Sequence, residues 1–247
     1  MQQNLDIITR NFFRMMRSGA MNEYVEMEPM SPFKWRRLAQ LIIDQNVTSV
    51  ASRAVKNHQY EQVFNMPAET RQLLHAEAAK SSGNSIRLEM NNRHLNKRLQ
   101  KIHTLEKHSE TYSKETLELF DIIIANCHAL LNSGTSMLLI IKMGNYIRIN
   151  ASKIDFDKIS KWLKELQMQR VANLAGTILI DNFAFKPEEV PFVKKPDSKA
   201  AFIMSDAINK RQDSTHNRGI TYFEYAPLEN TSILLGRLKG RLDSIEE

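Results

Sequence analysis

Apolar residues recur along this chain at the three- and four-residue spacing that places them on one side of a helix. Leu5, Ile8, Phe12, Met15 and Met16 set the pattern over residues 4–18, and a loop with Gly19 and Pro29 follows over 18–30. Ser31-Pro32 then opens a helix. A serine hydroxyl accepts from free first-turn N–H groups, and proline lacks an N–H that the first turn leaves unused. Trp35, Leu38, Ala39, Ile42 and Ile43 form its inner stripe, Asn46 ends it, and residues 47–57 fit a further short helix. Pro67 marks the next start, with Leu73, Leu74 and Ala78 facing inward as far as Lys80, before a break at 81–84.

A long polar helix is predicted from Ser85 to His108. Its sparse apolar positions, Ile86, Met90, Leu95, Leu99, Ile102 and Leu105, leave one narrow face to bury. Ser113, with Glu115 and Thr116, begins the next helix, whose stripe is Leu117, Phe120, Ile124, Cys127 and Leu131 and which Ser133-Gly134 closes. Residues 135–149 are ambiguous, because Met137-Leu138-Leu139-Ile140-Ile141 suits a short strand as well as a buried helix. The helical surroundings favour helix. Phe156, Ile159, Trp162, Leu163 and Leu166 mark another helix, and Val171, Leu174, Ala175, Ile178 and Leu179 mark one over 169–183 that Pro187 and Pro191 terminate. Asp197 opens a helix to Lys210, 217–219 form a loop, Ile220 to Tyr225 reads as extended, and a basic amphipathic helix spans 233–242. The predicted fold is mainly α: a multi-helix bundle with at most one short extended pair near the C-terminal end. An N-terminal helical half over 1–110 and a C-terminal half over 111–247 are expected to pack as one unit.

Composition agrees with a buried core: of 247 residues 42% are hydrophobic and 25% charged, and only 8 Gly and 7 Pro interrupt the helices. The net charge of +6 is mild and suits an anionic partner without requiring one. A single cysteine, Cys127, forms no internal disulfide and lies in an apolar run, which suits an inert buried thiol in a reducing compartment. No secretory signal and no run of ~20 apolar residues is visible, so a soluble cytoplasmic protein is expected.

Three segments together resemble a nucleotidyltransferase-like family common in Bacteroidota. The first runs through Phe12-Phe13-Arg14-Met15-Met16-Arg17-Ser18-Gly19-Ala20, then Ser31-Pro32-Phe33-Lys34-Trp35, Leu38-Ala39 and Val47. The second is Glu89-Met90-Asn91-Asn92-Arg93-His94-Leu95-Asn96, similar to a helix that precedes that family's catalytic sheet. The third leads from Ile154-Asp155-Phe156 through Trp162, Leu166, Arg170, Gly176, Phe185, Glu188-Glu189 and Pro191-Phe192 to 201–208, and resembles the helical tail after the sheet. The resemblance implies a Gly-Ser turn with two carboxylates one residue apart on a strand and a third on a neighbour, holding divalent metals. That module would lie between the second and third segments. Residues 97–153 lie between them here: Lys97 to Ser113 reads as one helix end and the next helix start, the rest follows helical stripes, and no Gly-Ser turn followed by paired carboxylates appears. Ser18-Gly19 and Ser133-Gly134 have the reverse order and no acidic pair behind them.

Asp155-Phe156-Asp157 is a spaced acidic pair, read as the cap of the helix near Phe156 rather than as a metal site. Arg87, Arg93, Lys97, Arg98 and Lys101 give the long polar helix a basic face suited to nucleic acid or a phosphate group. Glu89, Glu106 and Glu110 interleave with it and no aromatics are placed for base stacking, so a solvated face is the simpler reading. His58, His75, His94, His103 and His108 lack cysteine partners and zinc spacing, and no Gly-rich phosphate loop occurs. No catalytic residue, metal site or cofactor is therefore assigned. The leading reading is a non-catalytic nucleotidyltransferase-like frame that binds a protein or an anionic ligand. A nucleic-acid or nucleotide binder using residues 86–101 is one alternative. A metal-dependent nucleotidyltransferase using Asp155 and Asp157 is the other.

Overall fold

In the computed structural model, which describes residues 5–80, 90–132, 136–209, 223–229, 231–233 and 235, the described residues form ten bounded helices, three short 3₁₀ turns and a further helical stretch from residue 227. The helices are α1 (Ile7–Met21), α2 (Pro32–Asp44), α3 (Thr48–Asn57), α4 (Ala68–Lys80), α5 (Arg93–Lys107), α6 (Lys114–Asn132), α7 (Met137–Asn150), α8 (Phe156–Leu166), α9 (Gln169–Phe183) and α10 (Ala200–Asn209). Among the described residues there is no strand, and no helix is long and apolar enough to cross a membrane. The fold is mainly α, a multi-helix bundle.

α1 runs through the centre and packs on α2, α3, α7 and α9. Phe12, Phe13, Met15 and Met16 are all buried, and fully burying such a side chain contributes about 1.5–3 kcal/mol. The helix continues to Met21 rather than stopping at Ser18, because Gly19 is a crossing point and not a loop residue. A Cβ there would stand 2.0 Å from the Val50 carbonyl oxygen and 3.1 Å from the Ala54 nitrogen, so α3 reaches α1 only where the side chain is missing. Asn22 then ends the helix in the left-handed region at φ 52°.

Residues 22–31 have no helical partner of their own, so two side-chain amides, the buried Asn11 and the more exposed Asn65, supply one. The Asn11 amide donates to the Glu28 carbonyl at 2.8 Å and accepts from the Glu28 N–H at 3.0 Å. Asn65 does the same for Met30 at 2.9 and 3.1 Å, and its Oδ1 also accepts from the Trp35 indole at 2.8 Å. Ser31 caps α2 as its sequence indicates, with Oγ accepting from the Lys34 N–H at 3.4 Å. In α4 the inner face is Thr70 and Leu74, four residues apart; Leu73 lies ~100° round the helix and is exposed.

Within the polar run read as one helix from Ser85, residues 90–92 are not helical and α5 begins at Arg93; residues 81–89 lie outside the described set. Asn92 is the cap, accepting from the His94 and Leu95 N–H groups at 2.9 and 3.1 Å. Met90 is buried ahead of it and Leu105 is exposed, so the buried stripe of α5 is Leu95, Leu99 and Ile102. The entry to α5 is held by Glu229, which is fully buried and accepts from the Asn91 and Asn92 N–H groups at 2.6 and 2.9 Å.

α6 is buried on nearly every side, at Leu119, Phe120, Ile123, Ile124 and Cys127, which is why its apolar run is continuous rather than striped. Residues 137–150 are helix, resolving the ambiguity of the Met137–Ile141 run. Phe223–Tyr225 is a 3₁₀ turn and not part of an extended pair, while 210–222 lie outside the described residues. The last helix is under way earlier than Ile233, since 227–229 are already helical; residues 236–247 are outside the described set, as are 133–135. One buried cluster draws on both halves of the chain, from Phe12 to Ile233.

Candidate functional site

The basic face of α5 is the first place to look. Arg93, Lys97 and Lys101 are all exposed and lie four residues apart, which sets them in one row along the helix. Arg98 stands beside that row and is committed: its Nη1 donates to the Glu165 carbonyl at 3.1 Å, in the last turn of α8, where a cation also meets the negative end of the helix dipole. Arg87 lies outside the described residues.

The turn from α5 to α6 decides what this frame can contain. It comprises only residues 108–113, and it is bound on both sides. Glu106, 5% exposed, accepts from the Lys158 ammonium at 2.7 Å and from the Ser113 N–H at 3.1 Å. Lys158 also donates to the Thr111 carbonyl at 2.6 Å. Ser113 Oγ accepts from the Thr116 N–H at 3.1 Å and donates to the Lys153 carbonyl at 3.0 Å. A buried carboxylate is tolerable only with such partners, and here they come from α6 and α8 at once.

Asp155 is the N-cap of α8. Its Oδ1 accepts from the Lys158 N–H at 2.9 Å, and its own N–H donates to Thr116 Oγ1 at 2.8 Å. Asp157 follows in the first turn and is exposed. The two therefore do not share a ligand position: one carboxylate is turned back onto the backbone and the other faces solvent. Among the described residues no group of three or more His, Cys, Asp or Glu side chains is placed to hold a metal ion.

A serine, a histidine and an acid do meet in the interior. Ser18 Oγ is 2.9 Å from His58 Nε2, and Glu61 Oε2 is 2.8 Å from His58 Nδ1, without the alignment of a hydrogen bond. The order matches a nucleophile–base–acid relay. Ser18 and His58 are each 1% exposed, however, and the Asn57 amide donates to both the Ser18 carbonyl and its hydroxyl. No substrate reaches that hydroxyl, and the group acts as a polar tie between α1 and the end of α3. Burial pushes the Cys127 thiol up, with Glu229 nearby adding to it, so this cysteine stays protonated and unreactive.

A recess that the sequence pattern does not announce lies between α8, the first turn of α9 and segment 190–198. Its volume is about 530 Å³, and Leu163, Lys164, Arg170, Phe192, Lys194 and Lys195 line it. Gly176 sets its depth: a Cβ there would stand 2.2 Å from Val193 and 2.9 Å from Phe192, so the segment lies directly on α9. Thr177 pins the far end, accepting from the Asp197 N–H at 3.0 Å while donating to the Asn173 carbonyl at 2.7 Å. A second recess of about 370 Å³, between α1, α9 and α10, has the opposite character, with Asp6 and Asp181 in its wall; burial raises the Asp181 carboxyl above its ordinary range. The one local signal for the basic recess is the Lys194-Lys195 doublet before Pro196. Lys164 and Arg170 join it only through the packing of α8 on α9.

Comparison of the chain with protein-family models, with curated proteins and with solved structures returns no match. Replacement of Asp155 by Ala is expected to lower stability in urea denaturation by about 1 kcal/mol through loss of the cap, and Asp157→Ala by only a few tenths. Added magnesium should leave both wild-type and variant midpoints unmoved; a magnesium-dependent rise that both substitutions abolish would restore a metal role.

Proposed function

We propose that the protein is a non-catalytic binding module, a helical frame of the nucleotidyltransferase-like type in which the segments that would flank a catalytic sheet are joined by helices instead. The observation that supports this reading is the run of α5, α6 and α7 between those segments, in which the described residues form no strand. The α5–α6 turn, residues 108–113, is itself mostly exposed but is tied to the buried Glu106 carboxylate through Ser113 and Lys158. A sheet module inserted there would have to break the joint and leave Glu106 buried without its cation, a change that typically costs about 3–5 kcal/mol. The acids that would serve as metal ligands are capping or solvent-facing in the same region. What such a frame retains is surface: the row on α5 and the basic recess beside α8, on elements that touch through Arg98 and Glu165. Incubation of the full chain with each nucleoside triphosphate and magnesium is expected to release pyrophosphate at the rate of the protein-free control. Sustained turnover would end this reading.

A second reading assigns nucleic-acid binding to α5. It is favoured by the exposed row of Arg93, Lys97 and Lys101, and opposed by the lack of stacking aromatics along that row. If it holds, fluorescence anisotropy with single-stranded RNA at low salt will show binding whose salt dependence flattens by roughly one unit for each of the three cations replaced by Glu. Unchanged binding in the triple variant dismisses it.

A further inference from the structure

The largest uncommitted positive charge in a concave setting is in the recess between α8, α9 and segment 190–198. Lys164, Arg170, Lys194 and Lys195 line it against a single carboxylate, Asp197. That carboxylate is engaged: Oδ1 accepts from the Lys199 N–H at 2.9 Å and from the Tyr225 hydroxyl at 3.2 Å. Arg170 is partly neutralised by Glu224 at 3.0 Å, and its guanidinium lies 5.5 Å from the centre of the Tyr225 ring. Lys164, Lys194 and Lys195 have no carboxylate within ion-pair distance among the described residues. Three like charges gathered around one hollow repel one another, and a dianion placed among them relieves that repulsion as well as pairing with each.

The rest of the wall is of a different kind. Pro196 and the exposed edge of Phe192 supply an apolar surface beside the cations. Phe192 is itself fixed from behind, by Gly176 on α9 and by the Phe156 ring at 6.3 Å. The volume of about 530 Å³ lies in the range of small-molecule sites, where a mainly apolar wall with a few placed polar groups sets orientation. Gln169 and Arg170, the first residues of α9, also line the recess, and no side chain caps that helix, so its positive end adds to the field.

We propose that this recess binds a small organic phosphate. The phosphate dianion pairs with Lys164, Lys194 and Lys195, and an apolar body rests on Phe192 and Pro196. A carboxylate of the same shape carries half the charge and uses fewer of the three ammonium groups. Free inorganic phosphate leaves the apolar wall in water. The site is separate from the α5 row and stands whether or not the chain catalyses a reaction.

The test is isothermal titration of the full chain at low salt with 1-naphthyl phosphate, 1-naphthoate and inorganic phosphate. Saturable binding of 1-naphthyl phosphate at one site is expected, with a Kd at least about tenfold below both comparators. The double variant Lys194→Glu/Lys195→Glu, with unchanged thermal melting, should weaken it by at least about tenfold, as should Lys164→Glu from the opposite wall. Arg93→Glu/Lys97→Glu on α5 should bind like wild type. Absence of saturation, equal affinity for 1-naphthoate or inorganic phosphate, or undiminished binding in the variants of both walls would overturn the proposal.

Discussion

Glu106 is the residue on which the arrangement of the C-terminal half turns. Its carboxylate is buried at the end of α5 and finds one partner at the start of α6 and another on α8. A charge removed from water is costly by several kcal/mol unless it is paired and hydrogen-bonded. The three helices therefore have one mutual geometry in which this group is satisfied. Apolar packing alone would not enforce it, because hydrophobic contact is non-directional. The same bonds fix how α5, α6 and α8 meet at this turn.

The same device recurs at other joints. Asn11 and Asn65 stand in for a β-partner along 22–31. Glu229 holds the residues that enter α5. Arg148 gathers the ends of α1, α7 and α9: it pairs with Glu23 and Glu189, donates to the Ala184 carbonyl at 3.2 Å and lies 4.1 Å from the centre of the Phe185 ring. Ala184 has a left-handed φ of 54°, a conformation that costs a residue with a Cβ roughly 1–2 kcal/mol, so the contact to its carbonyl helps to hold the turn there. Helices supply the apolar mass, and single polar residues between them set the angles.

Much of the helical layout was legible along the chain. The caps at Ser31, Ser113 and Asp155 stand where their side chains would meet free N–H groups, and 169–183 has the stripe of a helix over its whole length. What escaped depends on distant neighbours. Gly19 looks like a loop residue until α3 is known to lie against it. The run from Ser85 has helical spacing throughout, yet Asn92 is a cap with Glu229 seated on the residues before it. The α5 cations were visible because they share one helix. The basic recess was not, because its cations come from three segments that only the packing over Gly176 and Thr177 brings together.

The central claim is that Glu106 and Lys158 lock the α5–α6 turn as a structural joint. A double-mutant cycle in urea denaturation, using Glu106→Gln and Lys158→Met singly and together, measures that coupling directly. A coupling energy of about 2 kcal/mol is expected for a pair this buried and this well placed. A coupling near zero would mean that the joint is held by something else, and the case against an inserted catalytic module would lose its footing.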